Sequence, residues 1–86
     1  MSDPSPPPHP PQARIDARGL LCPLPVIRLQ DRAKVMDQGG EVTLLATDPG
    51  VLKDVPAWCR VHGHEVVRST MLDREIEIVV RIRSRA

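Results

Sequence analysis

GLLCPLPVIRL, residues 19–29, sets a thiol between a glycine turn and the start of a helix. From about Pro23, Val26, Leu29, Ala33 and Met36 recur at i, i+3, i+7 and i+10. Ile27 and Val35 widen that apolar stripe, and Gln30, Asp31, Arg32 and Lys34 lie opposite. Gly39-Gly40 supplies a helix stop.

Upstream, Ala13 to Ala17 reads as a short strand stopped by Gly19. Downstream, Glu41 to Thr47 is rich in β-formers and reads as a strand with at least one covered face. Asp48 and Pro49 then suit the N-cap and first position of a second helix. Its apolar face is Val51, Leu52, Val55, Trp58 and Cys59, with a kink or an irregular first half expected from Pro56. Gly63 ends that helix. Glu65 to Met71 and Glu75 to Ile82 follow as an antiparallel hairpin turning near Leu72-Asp73-Arg74.

The order β-α-β-α-β-β predicts an α/β (α+β) two-layer sandwich: a four-stranded mixed sheet with both helices on one face. Strand order is not readable from this pattern.

Of the 86 residues, Met1 to Gln12 hold six of the ten prolines and no aliphatic residue beyond Met1. Such a segment cannot bury enough apolar surface to offset its ordering entropy. It is expected to be a disordered Pro-rich tail with polyproline II character, leaving residues 13–86 as one domain. The tail lacks the features of a signal peptide, and no stretch approaches the roughly 20 apolar residues of a membrane span. A soluble, cytoplasmic, monomeric protein that does not engage membranes is therefore expected.

Twelve Lys+Arg against eleven Asp+Glu leave a net charge of +1, too little for a general field toward nucleic acid. Arg81, Arg83 and Arg85 sit at a strand end where phosphate contact is conceivable, which would suit a regulatory or nucleic-acid-interacting module. Trp58 is the only aromatic residue, so a base-stacking platform is not expected.

The two cysteines, Cys22 and Cys59, form neither a disulfide framework nor a CxxC motif. Cys59, in the second helix's apolar stripe, reads as core, and a Cys22–Cys59 bridge does not suit a reducing compartment. Cys59, His62 and His64 have a C-x2-H-x-H spacing, but one helix end cannot easily aim all three at one ion, so no metal is expected.

Cys22 is different. Just before a helix, it would meet unpaired first-turn amides and the positive end of the helix dipole, which favour a thiolate. Pro23 and Pro25 pre-set helical φ and carry no N–H, leaving the donors of Leu24 and Val26 to face an anion. Gly19 supplies the turn, and Arg18 could add positive charge. The expectation is a fixed thiol of depressed pKa.

Asp16-Ala17-Arg18-Gly19-Leu20-Leu21-Cys22-Pro23-Leu24-Pro25 resembles the D-x-x-G-x-x-C-P-x-P signature of the TusA-like (SirA/YedF-type) small sulfur-carrier proteins. Asp48-Pro49, Asp54-Val55-Pro56, Trp58-Cys59 and His64-Glu65-Val66 extend the likeness over about Arg14 to Arg83. The resemblance implies a two-layer sandwich whose catalytic cysteine, at Cys22, carries sulfur as a persulfide in a sulfurtransferase reaction, without a cofactor. It implies a cysteine desulfurase or rhodanese-like donor and a downstream acceptor protein. The routes served include tRNA thiolation, cofactor maturation and sulfur oxidation. A partner-docking surface is expected at Arg28 and Arg32, one turn apart, with Arg18.

Overall fold

The computed structural model describes residues 12–83. Its elements run β1 (Gln12–Ala17), α1 (Leu24–Ala33), β2 (Glu41–Ala46), α2 (Val51–His62), β3 (Glu65–Leu72) and β4 (Glu75–Arg81). The Pro-rich segment lies outside the described residues except for Gln12, which opens β1 one residue ahead of the predicted start.

The strands form one sheet in the order β1-β2-β4-β3. β1 pairs parallel with β2, because α1 returns the chain to the same end of the sheet. After α2, β3 takes the far edge, and β4 turns back to pair antiparallel with both β2 and β3. The hairpin turn is Asp73-Arg74, with Asp73 at φ 58. The result is the mixed sheet that the alternation implied.

Period-two alternation chooses the buried face. Ile15 and Ala17, Val42, Leu44 and Ala46, and Ile76, Ile78, Val80 and Ile82 turn toward the helices and are all buried. Leu29, Ala33 and Met36 fill the layer from the first helical region, and Val51, Val55, Trp58 and Cys59 from α2. The opposite face carries ion pairs from Arg81 to Glu41 and Glu65. Among the described residues, no helix is long and apolar enough to cross a membrane.

Two local expectations need correction. α1 ends at Ala33 rather than near Gly39, leaving Val35 exposed. The cause is non-local: the Gly39 N–H donates to the Ile82 carbonyl at 2.6 Å, and the Ile82 N–H donates to the Gly40 carbonyl at 2.8 Å. That pairing with the end of β4 draws the chain out of the helix early. α2 is capped by Gly50 instead of Asp48, because the first bonds, Val51 N–H to the Asp48 carbonyl and Leu52 N–H to the Pro49 carbonyl, close a tighter three-residue turn. The helix continues through Pro56, and its first half is irregular, as expected: the Val51, Leu52 and Lys53 amides each bond three residues back before the Asp54 amide takes the four-residue bond to Gly50.

Gly63 closes α2 in the left-handed region at φ 79, and the His64 N–H donates to the Cys59 carbonyl at 2.8 Å. Leu29 is wholly buried where α1 meets the sheet. Leu29→Ala should cost about 2–5 kcal/mol in urea unfolding, whereas exposed Val61→Ala should stay within about 0.5 kcal/mol.

Candidate functional site

Parallel β1 and β2 release their following loops at the same end of the sheet, so residues far apart in sequence meet there. Gly19, at φ 82, donates its N–H to Thr47 Oγ1 at 2.9 Å. The Cys22 N–H donates to Asp48 Oδ2 at 2.7 Å. Asp48 Oδ1 in turn accepts the Gly50 N–H at 3.1 Å. One carboxylate thereby ties the thiol loop to the start of α2.

Cys22 lies one residue before the N-cap of α1, which is Pro23 at φ −96, ψ 15, and the Cys22–Pro23 peptide is cis. Pro25 is helical and fully buried, anchoring the first turn in the core. Val26 is half-buried against the same core, and Leu24 is partly exposed. The Leu24 N–H is engaged by the Leu21 carbonyl at 2.9 Å and does not face an anion.

The sulfur turns toward α2. A Cβ placed on Gly50 would stand 3.0 Å from Cys22 Sγ, and 3.6 and 3.7 Å from the two Asp48 carboxylate oxygens. Gly50 has ordinary helical φ, so here glycine matters for the space it leaves.

The expected depressed pKa is overturned. Burial, then hydrogen bonding to Asp48 and Asp54 and their negative charge, push the Cys22 thiol up to about 12. Asp48 moves the opposite way, held below the usual carboxylate range by the backbone N–H groups of Cys22 and Gly50 and then by the thiol. The amides that open α2 are bonded to Asp48, Pro49 and Gly50. The resting site is therefore a neutral thiol donating toward carboxylates.

Arg18 does not supply the missing cation. Its guanidinium bonds Asp16 at 2.9 Å and Glu75 at 3.3 Å, which holds Asp16 down at about 2. Arg28 and Arg32 line a cleft of about 400 Å³ beside β1, together with Arg14, Asp16 and Asp31. The sequence reading missed Gly50 and the role of Asp48 as a clamp, because Asp48-Pro49-Gly50 reads locally only as a helix start.

The remaining candidates sit elsewhere. Cys22 and Cys59 are both free thiols, and Cys59 is buried, its thiol pushed up to about 11 by burial. His64 Nδ1 accepts the Arg83 N–H at 3.2 Å. Among the described residues, no three His, Cys, Asp or Glu side chains are grouped to hold a metal. Trp58 is buried, Arg81 and Arg83 are ion-paired to Glu41 and Glu65, and Arg85 lies outside the described residues.

The family model for Sulfurtransferase TusA matches residues 13–82. The sulfur carrier protein TusA of Pseudomonas paraeruginosa is 42% identical over 59 residues, covering 69% of this chain and 75% of that protein. Its namesake from Pseudomonas aeruginosa is 41% identical over 59 residues, with the same 69% and 75% coverage. A SirA-like protein of known structure from Desulfitobacterium hafniense superposes with a TM-score of 0.73 at 27% identity, over 84% of this chain and 99% of that one.

Asp48→Ala should raise amide exchange at both Cys22 and Gly50 by about tenfold or more at neutral pH. In the unsubstituted protein, the Asp48 contribution is complete above the ordinary carboxylate pKa. It is lost only as pH falls through the depressed folded-state value. Protection at these two amides should therefore persist through mild acid, as read by exchange followed across pH.

Proposed function

Since the chain belongs to the TusA sulfurtransferase family and its named relatives are sulfur carriers, we propose that Cys22 is the residue on which sulfur travels. Cys22 sulfur attacks the terminal sulfur of a donor protein's cysteine persulfide. The donor's S–S bond breaks, its electron pair stays on the donor cysteine, and that cysteine takes up the proton lost by Cys22. The products are a Cys22 persulfide and a donor thiol, with no net oxidation or reduction.

Delivery repeats the exchange, an acceptor thiolate attacking the outer sulfur and leaving Cys22 as a thiol. Sulfur–sulfur bonds of similar strength are exchanged, so the carrier has to present its sulfur without trapping it. A cysteine desulfurase or rhodanese-like protein is the proposed donor class. We place the exchange in the cytoplasm, where thiols remain reduced.

The observation supporting this assignment is the contrast between the two thiols. Cys22 is partly exposed at the loop end of the sheet, fastened through its own backbone N–H, whereas Cys59 is only 2% exposed. Gly19, Pro23 and Pro25 act as supports for the loop, while exposed Arg28 and Arg32 give the donor a charged docking surface on α1.

Incubation with a cysteine desulfurase and cysteine, followed by intact-mass spectrometry, should add one sulfur atom to the native chain and to Cys59→Ala, but none to Cys22→Ala. Equal addition to Cys22→Ala would overturn the assignment.

A further inference from the structure

A Cβ on Gly50 would stand 3.0 Å from Cys22 Sγ and 3.6 and 3.7 Å from the Asp48 oxygens, so sulfur and carboxylate border one space, and Asp54 follows one helical turn after Gly50 through its N–H to the Gly50 carbonyl at 2.9 Å; among the described residues neither carboxylate forms an ion pair. The nearest candidate by sequence, Arg18, is committed to Asp16 and Glu75. The site therefore holds negative charge without a cation of its own.

Exposed apolar side chains gather at this same end of the fold. Leu21 and Leu24 flank Cys22 in the chain and are 72% and 45% exposed. Leu52, in the first turn of α2, is 40% exposed. Across the sheet, Ala17, Ala46, Ile76 and Met71 form one row, two residues before Asp48 on β2, and its last member, Met71, is 60% exposed. Exposed apolar side chains at the same end of the fold as carboxylates without an ion pair have a definite complement.

We infer that this surface docks a protein segment of apolar character that carries a lysine or arginine beside its own sulfur-bearing cysteine, and that this cation releases Cys22 for exchange. The inference rests on the reading of Cys22 as the sulfur-carrying residue. A thiol among carboxylates forms little thiolate, which slows its attack on a donor persulfide. It is also a poor leaving group when an acceptor attacks its own persulfide. A cation placed against Asp48 and Asp54 lessens both handicaps, so one docking chemistry serves loading and unloading. In each step, the attacking sulfur's proton passes to the departing thiolate, and no oxidant is needed.

The probes are short peptides, each holding one cysteine as a mixed disulfide with 2-thiopyridine. The neighbouring residue is lysine or glutamate, and the flanks are leucine or serine. Cys22 attacks the peptide sulfur and releases pyridine-2-thione, whose absorbance gives the rate. With the folded full-length chain, in a Cys59→Ala background, lysine should outrun glutamate by about threefold or more, because one pKa unit raises the thiolate fraction about tenfold while its intrinsic nucleophilicity falls about threefold. Leucine flanks should outrun serine flanks several-fold.

Both preferences should vanish in urea. Asp54→Asn should collapse the lysine preference, and Leu21→Ser with Met71→Ser the leucine preference, with circular dichroism reporting a retained fold. Equal rates for the lysine and glutamate peptides, or a lysine preference unmoved in folded Asp54→Asn, would overturn the inference. If the preferences hold but desulfurase loading fails, only the carrier assignment falls; if loading succeeds without the preferences, only this inference falls.

Discussion

One carboxylate, Asp48, holds together two loops separated by 26 residues of chain. Its two oxygens accept the backbone N–H groups of Cys22 and Gly50, fixing the thiol loop and the start of α2 against each other. The arrangement exists only because β1 and β2 run parallel and end side by side. Thr47, one residue earlier, adds a second tie through Gly19. Gly50 then completes the site by omission, since its missing side chain leaves the space that Cys22 Sγ occupies.

That clamp also sets the electrostatics. A helix start at an exposed site is worth about 0.3–1 kcal/mol to an anion, less than one pKa unit. The Cys22 thiol moves from 9.0 to about 12, in the opposite direction. Loss of water around the sulfur and the two carboxylates beside it outweigh the helix end, where the Leu24 amide is already bonded to the Leu21 carbonyl. A carrier benefits from such restraint: a neutral thiol resists stray oxidation and exchange, and its reactivity becomes something a partner can confer.

The elements themselves were legible because they rest on local periodicity. The alternation of Ile76, Ile78, Val80 and Ile82, and the recurrence of Leu29, Ala33 and Met36, identify their buried faces without any neighbour. What failed was non-local. The early end of α1 depends on Gly39 and Gly40 meeting Ile82, and no window of sequence contains both. The D-x-x-G-x-x-C-P-x-P signature pointed to the family, but reading the thiol from its own helix gave the wrong sign for its acidity. The sulfur answers to Asp48 and Asp54, whose approach depends on the parallel pairing of β1 with β2.

Cys22 rests as a neutral thiol under the influence of Asp48 and Asp54. The most direct test of this is the ultraviolet absorbance of thiolate, followed by pH titration of the folded Cys59→Ala protein. At pH 9, where about half of a thiol with the ordinary value of 9.0 is ionised, almost no thiolate is expected at Cys22, with its appearance displaced toward pH 12. A titration midpoint at or below that of an ordinary cysteine would contradict it.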